Sequence, residues 1–246
     1  MKNYYVLGVK IDFIDLKELK NKVLNDLRNN INNFITFRDV ASLMAIKKNA
    51  KLLTIQNTLV TISCADGWPI AYMGKTKFNK FKRVTGPDFF KIFIEEKNNF
   101  RHFFIGSTYE NLNMLSKNIN KITNTKIVGA ISPIFDKITH KQIIKIANKI
   151  NSTKAQVVWV GISSPKQEIL ISKLKPLTSA TFFAVGAALE FYTGKQRRAP
   201  KIFRFLLMEW FFRLVTSPKR LGYRYLVLAP KFILLVFLEK FLKKKN

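Results

Sequence analysis

The chain has 246 residues, 48% hydrophobic and 24% charged: enough apolar material for one large domain or a domain with an appendage, and too much for a mainly disordered chain. Its net charge of +28 favours polyanionic partners (nucleic acid, nucleotide diphosphates or anionic lipid) and does not choose among them. Cys64 is the single cysteine, which excludes an intramolecular disulfide, and with only His102 and His140 beside it a His/Cys zinc site is not expected.

The first segment, Tyr4 to Ile11, reads as a strand, and Asp15 is placed to cap a helix over Leu16 to Asn29. A short apolar run, Asn33 to Phe37, precedes a predicted helix from Asp39 to Lys48. Leu59 to Cys64 reads as a buried strand, Asp88 to Lys97 as a helix and His102 to Ile105 as a strand. The alternation continues with helix Tyr109 to Ile122, strand Lys126 to Val128, helix Lys141 to Ile150, strand Gln156 to Val160, helix Lys166 to Leu174 and strand Ala180 to Val185. Short apolar runs alternating with amphipathic helices predict an α/β fold: a parallel sheet with helices on both faces and ligands beyond the carboxyl ends of its strands. The N-terminus MKNYYVLGVKID lacks the apolar core of a signal peptide.

The character changes near Gly194. From Lys195 to Asn246 there are fourteen Lys/Arg and two Glu, so residues 1–194 read as the catalytic domain and 195–246 as a basic, amphipathic helical appendage. Helical spacing persists through IFRFLLMEWFFRLV, Pro218 starts a second helix and Pro230 a third. The apolar part of the third is expected to be too short to span a bilayer, and no run of 18 apolar residues occurs. Aromatic residues beside basic ones suit a helix lying in a membrane interface, and a helical subdomain packed on the main fold is the competing reading.

Five turns carry candidate chemistry. In Cys64-Ala65-Asp66-Gly67, directly after a strand, Gly67 permits an abrupt turn that leaves Asp66 where a general base is useful, although a lone Asp-Gly is more often just a turn. In Arg83-Val84-Thr85-Gly86-Pro87-Asp88, Arg83 is able to fork onto a diphosphate, and ordinary helix capping is the alternative. The run VVWVGISSPKQE reads as strand, turn at Gly161, then a helix capped by Ser164 with Pro165 at its first position. Its free amides, with Lys166 and Gln167, suit phosphate or sugar oxygens. In AVGAALEFYTG, small residues from Gly186 let a ligand come close, and Glu190 is placed to accept from a ribose or base. The similar turn GAISPIF, with Gly129, Pro133 and Phe135, is a candidate nucleoside site. No GxxxxGK[ST] phosphate loop, strand-linked GxGxxG or Asp-x-Asp element occurs.

These motifs, in this order from about Tyr5 to Tyr225, resemble the WecG/TagA/CpsF glycosyltransferase family; the specific parts are WVGISSPKQE, AVGAALEFYTGKQRRAP and EWFFRLVTSPKRLGYRY. The resemblance implies a Rossmann-like core with a basic helical tail and an inverting transfer without metal or other cofactor. It implies movement of a sugar of the N-acetylmannosamine type from UDP onto a polyprenyl-diphosphate-linked acceptor, at the inner face of the cell membrane, in cell-surface polysaccharide synthesis. It implies Asp66 as catalytic base, Thr36 and Gln167 as substrate contacts and Arg83 against the leaving diphosphate. Arg213, Arg220 and Arg224 would close over the diphosphates. The chain departs from the family at Arg38, where an amide is usual, so an acidic donor or a different acceptor is conceivable; Glu190 stands where Asp is usual and Ser163 where Gly is common. The competing readings are a nucleic-acid-binding protein, for which no signature is present, and a non-catalytic membrane adaptor. A homo-oligomer is left open.

Overall fold

The structure is a computed structural model that describes residues 1–96, 98–132, 138–200, 202–203 and 208–245, with side chains at these positions except 213, 220 and 240–245. Eight strands form one sheet in the order β1-β2-β4-β3-β8-β7-β5-β6. The strands are β1 (Asn3–Val6), β2 (Val9–Asp12), β3 (Phe34–Arg38), β4 (Ile62–Ala65), β5 (Arg101–Gly106), β6 (Lys126–Ile131), β7 (Val157–Gly161) and β8 (Thr181–Ala184). All pairings are parallel except β1 with β2. The single strand expected over Tyr4 to Ile11 is therefore a hairpin. Leu7 and Gly8 both take positive φ and reverse the chain, and the sheet is mixed at that edge.

Helices cover both faces. On one side lie α1 (Leu16–Arg28), α5 (Gly86–Ile94), α6 (Tyr109–Ile122) and α9 (Ala188–Thr193); on the other, α2 (Val40–Lys47), α3 (Ala50–Thr58), α4 (Trp68–Phe78), α7 (His140–Ser152) and α8 (Lys166–Leu174). The strands feed the two cores alternately: Val157 and Trp159 face the first set of helices, Val158 and Val160 the second. Both faces of a central parallel strand are buried, so the strands read as continuous apolar runs. Capping sets several helix starts. Asp15 and Asp39 each accept from a backbone N–H three residues on, as do Thr85, Thr108 and Thr139.

The first core is built of large aromatics. Trp159 stacks on Phe183 with ring centroids 4.4 Å apart and meets Phe90 edge-on at 4.9 Å. Trp159 Nε1 donates to His102 Nδ1 at 3.0 Å, so the imidazole is neutral with its proton on Nε2, 3.3 Å from Asn98 Oδ1. Burial pushes the His102 pKa down to about 3.

After Gly194, which ends α9 in the left-handed conformation, come α10 (Glu209–Thr216), α11 (Pro218–Tyr223), a π-helical turn over Arg224–Leu228, and α12 (Ala229–Lys245). Pro230 stands in the first turn of α12, where a helix start was expected, but no break separates that helix from the one before. The Ala229 N–H donates to the Arg224 carbonyl, and this wide turn accommodates the proline ring where a regular α-turn would set it against the preceding carbonyls. The consequence corrects the expected length. Leu221–Glu239 is a continuous 19-residue helical stretch of mean hydropathy 1.7, long and apolar enough to cross a membrane by length and composition, and only 11% of that window is buried. Among the described side chains of α12, Phe232 is the one buried in the core, flanked by Leu235 and Val236, while Ile233, Leu234 and Phe237 are exposed.

Candidate active site

A cavity of about 710 Å³ opens at the carboxyl ends of four adjacent strands, β4, β3, β8 and β7, and the C-terminal helices form its far wall. That volume lies in the range of small-molecule sites. The strand ends contribute Asp39, Asp66, Ser163, Ser164 and the turn Val185–Gly186; α8 contributes Gln167, and the loop ahead of α5 contributes Arg83 and Thr85. The far wall is Glu209, Trp210, Leu221, Arg224, Tyr225 and Phe232.

Asp66 sits here because β4 ends abruptly. The Asp66 and Gly67 N–H groups both donate to the Arg38 carbonyl at the end of β3, at 2.8 and 3.0 Å, which turns the chain across the sheet edge. A Cβ at residue 67 would lie 3.3 Å from the Asp39 Cα, so glycine lets α4 start close against α2. Arg83 folds over this turn. Its Nε donates to the Asp66 carbonyl, and its Nη2 lies 3.7 Å from Asp66 Oδ1 and 3.5 Å from Glu209 Oε2.

Two more arginines reach the same cavity, each with a carboxylate. Arg198 makes a bidentate pair with Asp88, at 2.7 and 2.8 Å, and reaches Thr85 Oγ1 at 3.3 Å. Burial opposes its charge, and the hydrogen bonds and charge of Asp88 more than restore it, so its pKa stands above the ordinary value. Arg224 pairs with Asp39, whose negative charge raises the arginine's pKa against burial. Polar atoms remain around the cavity: Ser164 Oγ and Arg198 Nε are buried and have no hydrogen-bond partner among the described residues. Buried polar atoms are seldom left so unless a ligand or water meets them.

The cavity brings together Asp66, Arg83, Gln167, Gly186 and Arg224 of the expected site residues. Asp66 and Gln167, far apart in sequence, line one pocket. Other residues lie elsewhere. Thr36 is wholly buried within β3, with its hydroxyl 3.4 Å from Ser63 Oγ. Arg38 is 1% exposed and directed into the interior, where Nη1 meets Glu168 Oε1 at 2.5 Å and Nε and Nη2 meet Gln56 Oε1 at 3.0 and 2.5 Å. Its charge is balanced there, which removes the structural ground for an acidic donor at that position. Gly161 is required by packing, because a Cβ would lie 2.5 Å from Leu189 Cδ1; Gly129 lies on β6 under the Phe103 ring, two strands outside the cavity. Lys166 and Glu190 are outside the lining as well. Ser164 is not the cap of α8, which follows Pro165 without a side-chain cap. Pro133 and Phe135, and the side chains of Arg213 and Arg220, lie outside the described residues.

Sequence reasoning missed Asp39, Arg198 and Glu209. Asp39 carried only a helix-cap signal and Arg198 was one of several basic residues in KQRRAP, so neither announced which way it would face. Among the described residues, no three His, Cys, Asp or Glu side chains cluster as a metal site.

The cavity thus sets a half-buried carboxylate, Asp66, beside Arg83, Arg198 and Arg224 at the strand ends. The model of the glycosyl transferase WecG/TagA/CpsF family matches residues 4–246. The chain therefore belongs to the glycosyl transferase WecG/TagA/CpsF family, whose members act on sugar-nucleotide donors.

Proposed function

We propose that the protein is an inverting, metal-independent hexosyltransferase. It moves a sugar of the N-acetylmannosamine type or a related hexose from UDP to a polyprenyl-diphosphate-linked acceptor for cell-surface polysaccharide. Residues 1–194 are the Rossmann-like catalytic domain, and 195–246 associate peripherally with the anionic inner face of the membrane. The observation that carries the reading is Asp66 and Arg83 in one cavity with Gln167 and the tail arginine Arg224.

In this mechanism Asp66 accepts the proton of the acceptor hydroxyl as that oxygen attacks the anomeric carbon. The bond from that carbon to the diphosphate breaks on the opposite face, the electron pair leaves with UDP, and the configuration inverts. Inversion needs a base for the attacking hydroxyl and compensation for the negative charge growing on the leaving diphosphate. Arg83, Arg198 and Arg224 supply that compensation. Their carboxylate partners hold the guanidinium groups in place before a diphosphate arrives. The exposed apolar face of α12 with the basic tail supports the membrane reading. Deletion of residues 230–246 should release the protein from anionic liposomes in a flotation assay.

Asp66→Asn should lower UDP-sugar turnover by about 10²–10⁴-fold while leaving the thermal midpoint and UDP binding intact. Full activity in that variant would remove Asp66 from the mechanism.

A further inference from the structure

We propose that Arg38 and Glu168 are positioning residues that lock the Gln167 carboxamide in one orientation in the active site; the proposal rests on the transferase reading above. Gln167 and Glu168 are neighbours on the first turn of α8 and both are buried; Gln167 lines the cavity and Glu168 lies behind it. Glu168 is 2% exposed and receives two donors on Oε1: Arg38 Nη1 at 2.5 Å and Gln167 Nε2 at 3.3 Å. At its other end the Gln167 Oε1 accepts from the Gly186 N–H at 3.1 Å.

A carboxamide has a donor end and an acceptor end, and a half-turn about its last bond exchanges them. A carboxylate only accepts and a backbone N–H only donates. The two neighbours of Gln167 thus select the same rotamer, and the remaining N–H and lone pair are held in fixed places for a bound sugar or phosphate. The selection depends on residue 168 presenting an acceptor oxygen. Arg38 supplies the counter-charge that permits a carboxylate in the interior, and Gln56, itself 2% exposed, holds the guanidinium from the other side. A buried ion pair is weak ground for stability, since apolar residues of similar volume often serve as well. Its particular effect here is directional.

The test uses the full chain and two variants. Glu168→Gln is nearly isosteric and can accept or donate, and the double variant Arg38→Met/Glu168→Met removes both charges so that none is stranded. The first readout is the side-chain amide resonance of Gln167, assigned by its loss in Gln167→Met. In the wild type its two Nε2 protons should be widely split and slow to exchange with solvent; Glu168→Gln, whose one acceptor oxygen is kept facing Arg38, should retain that signature, and in the double variant, with no acceptor at 168, it should collapse to the values of a free glutamine. The second readout is kinetic: in the double variant kcat with a UDP-sugar should fall about tenfold or more while KM stays within about threefold, as misplacement of a contact group predicts. A free-glutamine signature in the wild type overturns the proposal, as does an unchanged kcat in a variant whose amide signal has collapsed. A wild type with the locked amide but no turnover of any nucleotide sugar supports the orientation and sinks the transferase reading alone.

Discussion

The two walls of the cavity are built differently. On the strand side, Asp66 hangs from a turn whose amides are bonded into the end of β3, and Gln167 stands on a helix packed over the sheet. On the helical side, Glu209 and Arg224 meet the core through ion pairs, α12 places Phe232 in the core, and the turn between β1 and β2 donates its Leu7 N–H to Glu239 at 3.1 Å. The first wall has the stability of the whole domain behind it. The second rests on a few contacts and leaves an apolar face exposed.

Acid should divide the walls most. The folded His102 has a pKa of about 3, below its unfolded value near 6.5, so only the unfolded state is protonated between them. Stability should therefore fall as pH drops through that window, by about 1.4 kcal/mol per unit and about 4–5 kcal/mol in all. Denaturant melts of the wild type against His102→Asn between pH 6.5 and 4.5 check this, and an equal slope in both would refute it. The packing test comes next. Phe183→Ala, in the aromatic stack, should cost about 3–5 kcal/mol of global stability. Phe232→Ala should instead raise hydrogen exchange in residues 218–245 and leave the strands protected; faster exchange throughout would mean the two walls are one cooperative unit.

On the proposed mechanism Arg83→Ala should reduce kcat by about 10²–10³-fold, or about 3–4 kcal/mol, because Arg83 sits on the fixed wall beside Asp66. Arg224→Ala, on the conditional wall, should cost less in kcat and more in KM for the lipid-linked acceptor, which steady-state kinetics would separate. The smallest effect belongs to Glu239→Gln, a loss of about 1 kcal/mol in the docking of α12, read as faster exchange of its last turns.

Several elements were readable from local chemistry. The cap Asp15 and the limits of α6 and α8 agree with expectation, because capping residues and apolar periodicity act within a few positions of one another. Three helices were not seen: α3, α4 and the short α9. The start of α4 carries the Asp66-Gly67 turn, and its interior contains Gly74, an apparent breaker that is there because a Cβ would touch the Tyr4 ring at 3.0 Å. α3 has a weak pattern because Gln56 is buried to hold Arg38. The site residues divide in the same way. Asp66 is legible as an acid after a strand, but Arg38 reads as a ligand until Glu168, brought to it by the sheet, takes its charge.

The sequence by itself determined the alternation of strands and helices from β5 to β8, the change of character near Gly194 and the acid and glutamine turns, since each depends on residues that are neighbours in the chain. Tertiary structure alone decided which arginines face the cavity, that the turns after β4 and β7 share it, and that the helix runs on past Pro230. Those outcomes depend on strand order and on what stands opposite each side chain, and one-dimensional spacing does not contain that information.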